Sequence, residues 1–123
     1  ASFHSIINNI PELKEKQKTP TLITKELLKK RHISPLYGSC DYIINKEKDF
    51  LVLNEIPDII ATGDSHIVDF SFYNNITLIS SSCWQSKTPF EEKMGRISTP
   101  CKVPVLNLKT REIKILDFSI KNK

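Results

Sequence analysis

The pattern of apolar and polar positions divides the chain in two near residue 39. In the first part the spacing is helical. Ile6, Ile7 and Ile10 make a short apolar group stopped by Pro11, because proline disfavours the helical region for the residue before it. Residues 12–19 follow as a mobile surface turn, with Lys14, Lys16 and Lys18 and little to bury. Thr19-Pro20 then supplies an N-cap and a first-turn proline for a helix through Leu22, Ile23, Leu27 and Leu28. Residues 33–48, with Pro35, Gly38 and scattered polar side chains, read as a loop.

From Phe50 the period becomes that of strands. Residues 50–53 and 58–63 are short apolar runs, the second ending at Gly63. Val68, Phe70 and Phe72 alternate with Asp69, Ser71 and Tyr73; Asn74-Asn75 supplies a turn, and residues 76–79 return as the second arm of a hairpin. A polar stretch with Trp84 and Pro89 leads through a short helix at residues 90–94 to a second hairpin, residues 102–108 and 112–118 about a turn near Lys109-Thr110. The expected class is mixed α and β, with a helical segment over 1–39 and mostly antiparallel strands and two hairpins over 40–123.

A chain of 123 residues is one domain long and buries roughly two thirds of its unfolded surface. With 39% hydrophobic residues and three glycines beside seven prolines, it is neither disordered nor collagen-like. No apolar run approaches the roughly 18–20 residues of a membrane span, so a cytoplasmic chain without a membrane partner is expected. The net charge of +4, from fifteen lysines and three arginines against fourteen acids, favours an anionic partner such as nucleic acid without demonstrating one. Lysine is also the commonest way to keep a surface soluble. Lys29, Lys30 and Arg31, with His32, gather at the end of the expected helix, where positive charge complements the dipole by a few tenths to about 1 kcal/mol. Contact with DNA is the sharper reading of the same run. Cys40, Cys83 and Cys101 are an odd number at wide spacing, which excludes a disulfide framework and a zinc knuckle and leaves buried thiols.

Gly63-Asp64-Ser65-His66 is the most suggestive chemical constellation. In an extended segment residues i and i+2 point the same way, so Asp64 and His66 could reach one metal ion, or two adjacent ones, from a strand end. Such a triplet on a loop is more often a turn carboxylate beside an ordinary histidine. His4 and His32 carry less information, and Trp84 reads as a core or interface aromatic. There is no glycine-rich phosphate loop, nucleophile elbow or Cys-x-x-Cys.

Four blocks taken together are more specific than any one. They are residues 31–38 (Arg-His-Ile-Ser-Pro-Leu-Tyr-Gly), 49–59 (ending Ile56-Pro57-Asp58-Ile59), 62–66 (Thr-Gly-Asp-Ser-His) and 81–88 (with Trp84-Gln85 and Thr88). In order and spacing the chain resembles the small subunit of the archaeal family D DNA polymerases, and residues 103–108 resemble that family's closing strand. The resemblance implies the C-terminal part of a calcineurin-like metallophosphoesterase sandwich, one domain of which residues 1–123 are a portion. It implies two divalent ions, manganese or magnesium, a proofreading 3′-to-5′ exonuclease role, and two partners: DNA and a large catalytic subunit. His66 inherits a metal-ligand role, Gly63 and Trp84 stand as motif positions, and Asp64 takes the place of a family histidine, which changes the charge of the site.

The family's other ligand motifs have no counterpart here; the resemblance sets them before Ala1, where the chain opens without an initiator methionine. Two ligands cannot hold a two-metal centre, so no nuclease activity is expected of these residues by themselves. A C-terminal fragment, one half of a split subunit completed by an N-terminal chain, and a decayed phosphoesterase kept as a scaffold for the large subunit all stay open. A free-standing basic nucleic-acid-binding domain ranks last, because few aromatics alternate with the dispersed lysines.

Overall fold

A computed structural model of the chain describes residues 6–7, 9–14, 16, 18–38, 41 and 43–119. After a helical turn at Ile6, Ile7 and Asn9, the elements are α1 (Pro11–Lys14), α2 (Pro20–Lys30), β1 (Ile59–Thr62), β2 (Asp69–Tyr73), β3 (Ile76–Ser80), α3 (Pro89–Lys93), β4 (Lys102–Leu106) and β5 (Ile113–Asp117). This is the expected mixed α/β class with few helices.

The helix α2 follows from its sequence. Burial recurs at Pro20, Thr21, Ile23, Thr24, Leu27 and Leu28, the three-and-four spacing of one helical stripe. Ile23 and Leu27 join Ile6, Ile7 and Leu13 in one core cluster; Leu28 joins Ile76 and Leu78 in a second. Arg31 ends the helix in the left-handed region, φ 51°, and the N–H groups of Arg31 and His32 close onto the carbonyls of Leu28 and Leu27.

Two expectations for this region need correction. Residues 12–19 do not form only a mobile turn, because Pro11–Lys14 is helical and Leu13 is buried. Proline ends one helix yet suits the first turn of the next, where its missing N–H leaves nothing unpaired. Thr19 occupies the N-cap position, but its hydroxyl makes no capping bond. The acceptor comes from β2 instead: Asp69 Oδ2 receives the Thr21 N–H at 3.0 Å and the Thr21 hydroxyl at 2.6 Å.

The strands form two sheets, ordered β1-β3-β2 and β4-β5. The first hairpin closes through Asn74 and Asn75, φ 47° and 63°, the left-handed pair that a tight turn between twisted strands requires. It pairs Asp69 with Ser80 and Tyr73 with Ile76. β1 adds to β3 in parallel, Ile59 opposite Thr77 and Thr62 opposite Ser80, so β3 is central and all five of its residues are buried. The helix α2 contacts β2 and β3 on the side carrying Asp69 and Tyr73. The expected alternation of β2 is present, but Phe70 and Phe72 point away from α2 and are exposed. The second hairpin turns on Asn107, whose side-chain oxygen accepts from the N–H of Lys109 and Thr110. Arg111 ties it to the first sheet, reaching the Asn75 carbonyl at 2.6 Å and Asp58 at 3.3 Å.

Residues 50–53 are not a strand. Val52 makes only an isolated bridge to His32, through Ile33 N–H to the Leu51 carbonyl and Leu53 N–H to the Arg31 carbonyl, and Phe50 is exposed. The loop is anchored by His32, which accepts the Ser34 N–H at Nδ1 (3.0 Å) and therefore donates from Nε2 to Asp49 (3.0 Å).

Candidate functional site

The site grows from the adjacent ends of β1 and β3. At the end of β1 the chain leaves the sheet at Gly63 and returns at β2, and the intervening loop is fastened from several sides. Ser80, the last residue of β3, donates to the Ile67 carbonyl at 2.8 Å and lies 3.0 Å from Ser65 Oγ. Thr99 donates its N–H to the His66 carbonyl at 2.9 Å and accepts the Val68 N–H at its hydroxyl, 2.7 Å. Ser82 Oγ in turn bonds the Thr99 carbonyl.

The loop is not extended. Asp64 and His66 both have left-handed backbones, φ 68° and 56°, so the same-side geometry expected of an i, i+2 pair does not apply. Asp64 is exposed and lies on the wall of a cavity of about 630 Å³ lined also by Leu28, Leu53, Ile60 and Gly63. His66 is half-buried, with 32% of its side chain exposed, and turns toward α3. Gly63 has open space where a Cβ would stand. Among the described residues no group of three or more His, Cys, Asp and Glu could hold a metal ion. Asp64 supplies a hard carboxylate oxygen and His66 a softer imidazole nitrogen, and any metal site built on them requires further donors.

The partner of His66 was not anticipated. Its Nδ1 lies 2.7 Å from Oε1 of Glu91, whose carboxylate is buried. The other oxygen, Oε2, receives the N–H and hydroxyl of Thr88 at 2.8 and 2.9 Å, and the Glu91 N–H returns to the Thr88 hydroxyl at 3.2 Å. This is a capping box: Thr88 at the N-cap, Pro89 at the first position, Glu91 at the third. The signal Thr88-x-x-Glu91 is present in the sequence and identifies the helix start, although it does not reveal the histidine across the loop.

The donors around Glu91, Thr88 N–H and hydroxyl first and His66 next, bring its carboxyl down to about 2. A folded-state value below the ordinary 4.5 means that the contribution is complete above 4.5 and disappears as pH falls toward about 2. The thermal midpoint should therefore decline over that window, and Glu91→Gln should flatten the decline; unfolding followed by circular dichroism at a series of pH values checks this.

The remaining candidates are dispersed. Lys29 pairs with Glu26 at 2.9 Å, a hydrogen bond that raises its ammonium group above the usual value; Lys30 is exposed, and Arg31 caps α2 with its backbone. Lys29 and Lys30 place their positive charge in the last turn of α2. Trp84 is not in the core: it is 69% exposed and packs at 6.0 Å, tilted, against the exposed Phe118. Cys83 and Cys101 are free and half-buried rather than buried; partial burial, with the Glu91 charge behind it, pushes the Cys83 thiol up and keeps it protonated. Cys40, His4 and the opening residues 1–3 lie outside the described residues.

No protein-family model matches the chain. It is similar to proteins named DNA polymerase II small subunit. The one from Pyrococcus furiosus is 36% identical over 118 residues, 95% of this chain and 19% of the relative. The one from Methanothermobacter thermautotrophicus is 39% identical over 98 residues, 80% of this chain and 20% of the relative. The one from Halobacterium salinarum is 33% identical over 93 residues, 76% and 18%. The chain therefore spans about a fifth of the length of the curated relatives it matches. Identity at this level, sustained over most of the chain in several archaeal genera, reflects common descent: the chain belongs with the archaeal DNA polymerase II small subunits, as the counterpart of about a fifth of their length.

Proposed function

We propose that the chain is the C-terminal portion, residues 1–123, of a calcineurin-like phosphoesterase domain in a DNA polymerase small subunit, acting in the cytoplasm on DNA beside a large catalytic subunit. In this reading the complete domain removes 3′ nucleotides, and His66, with Asp64, contributes to a manganese or magnesium site finished by donors outside the chain. The observation that carries it is His66 in the loop that follows β1, fastened through Nδ1 to a buried carboxylate as metal-ligating histidines commonly are.

Divalent ions in such a site would activate water and balance the charge that develops on the scissile phosphate. The chain's own part is to hold donors. The Ser65–Ser80 and Thr99 contacts fix the loop, His66 offers its imidazole, and Asp64 offers a carboxylate on the cavity wall. The names of the relatives support a large partner, since a small subunit implies one. The loss of 3′ nucleotides from a labelled primer–template in manganese, catalysed by the assembled two-subunit polymerase, is expected to slow on His66→Ala while assembly persists. An unchanged rate would overturn the metal role.

A second reading is a non-catalytic scaffold that tethers the large subunit. The exposed Trp84–Phe118 pair and the exposed Phe70 and Phe72 favour it, being apolar surface beyond what isolated exposed residues explain. In that case Trp84→Ala should weaken assembly on a sizing column and His66→Ala should change nothing.

A further inference from the structure

We infer that Glu91 is the positioning residue of His66: it holds the imidazole with the proton on Nδ1 and leaves Nε2 as the nitrogen presented to a metal ion. The metal half of this inference rests on the proposed function; the tautomer does not.

The argument is one of donors and acceptors. Glu91 is 6% exposed, and an ionised carboxylate only accepts hydrogen bonds. Its Oε2 is committed to Thr88, and its Oε1 faces His66 Nδ1 at 2.7 Å, so that nitrogen carries the hydrogen. The lone pair of the neutral ring is then on Nε2, and among the described residues the ring's hydrogen bond runs through Nδ1. Neither partner is free to drift. The capping box fixes Glu91 on α3, and the left-handed His66 backbone is fixed by its carbonyl bond from Thr99.

The fold contains its own control. His32 accepts the Ser34 N–H at Nδ1 and faces Asp49 through Nε2, which requires the opposite tautomer. The surroundings of the two histidines set the protons in opposite senses.

The test is a long-range ¹H–¹⁵N spectrum of the full 123-residue chain, labelled with ¹⁵N-histidine, at a pH where both rings are neutral. His66 is expected as the Nδ1–H form and His32 as the Nε2–H form. Glu91→Ala should release His66 to the Nε2–H form that an unconstrained side chain favours in water. Glu91→Gln, whose single amide oxygen stays with the Thr88 N–H and whose NH2 then donates to Nδ1, should likewise give the Nε2–H form. A wild-type His66 in the Nε2–H form overturns the inference without any variant, as does a tautomer indifferent to Glu91→Ala in a chain that still folds. In the assembled polymerase, Mn²⁺ binding should weaken roughly 10–100-fold in Glu91→Ala. If His66→Ala leaves Mn²⁺ affinity unchanged while the tautomer results hold, the metal reading of His66 falls and Glu91's hold on the ring stands. If His66→Ala weakens Mn²⁺ binding and Glu91→Ala does not, the positioning role falls alone.

Discussion

Leu78→Ala is expected to lower the unfolding free energy by about 2–5 kcal/mol. Leu78 is fully buried at the centre of β3, the strand that every other member of its sheet pairs with. Ile60 of β1 and Ser71 of β2 flank it, and it shares a core cluster with Leu28 of α2 and Ile76. Truncation removes buried carbon and leaves a cavity between a helix and a strand paired on both sides, an arrangement with little room to collapse. Urea unfolding should show a lower midpoint with the same slope, because the surface exposed on unfolding barely changes. Leu78→Met, which conserves volume, should cost less than about 1.5 kcal/mol. A loss well under 1 kcal/mol for the alanine variant would mean that Leu78 is not packed as described.

Asp69→Ala is expected to cost about 1.5–3 kcal/mol, the range for hydrogen bonds to a charged group. Its Oδ2 accepts both the backbone N–H and the hydroxyl of Thr21, satisfying one of the unpaired donors at the start of α2 and placing negative charge at the positive end of the helix dipole. Asp69→Asn keeps an acceptor and loses the charge, so it should fall between wild type and alanine. The partner is tested by a double-mutant cycle with Thr21→Val, which removes the hydroxyl bond and leaves the N–H. The two substitutions should be less than additive, since one bond is lost in both. Strict additivity would show that Asp69 and Thr21 do not act together and that α2 is capped some other way.

How far the structure could be read from the residues depends on the range of each interaction. The helix α2 and the hairpin β2–β3 arise from neighbours: the three-and-four spacing of Ile23, Leu27 and Leu28, and two asparagines that tolerate a left-handed backbone. The capping box at α3, Thr88 with Glu91, is equally local. Residues 50–53 misled because a short apolar run lacks a period, and the chain there has room for only one bridge to His32. Asp69 is not legible as a cap because Thr21, whose N–H it accepts, lies 48 residues earlier.

The candidate site was half legible. His66 stood out through its motif, and the similarity to the small subunits covers its segment. Its geometry did not follow, because an i, i+2 argument presumes an extended chain and both Asp64 and His66 are left-handed. Glu91 lies 25 residues beyond His66, on an element whose approach to the loop depends on how β3 and its following segment turn. Trp84 shows the same limit from the other side, for nothing in Ser82-Cys83-Trp84-Gln85 says whether the indole faces the core or, as here, Phe118 at the surface.

By itself, then, the sequence determined the helix α2, the two hairpins with their turns, and the family to which the chain belongs, because each is carried by spacing and residue type along the chain. Only the tertiary structure decided the parallel β1–β3 pairing, the face of β2 that meets α2, the carboxylate at the helix start and the buried Glu91 behind His66. A period of two states that side chains alternate but not which set faces the core, and a capping signal states that a helix begins but not what its carboxylate will meet. Those choices are settled when α2 lies across the sheet, where burying one face while keeping the enclosed backbone N–H and C=O groups paired admits few arrangements.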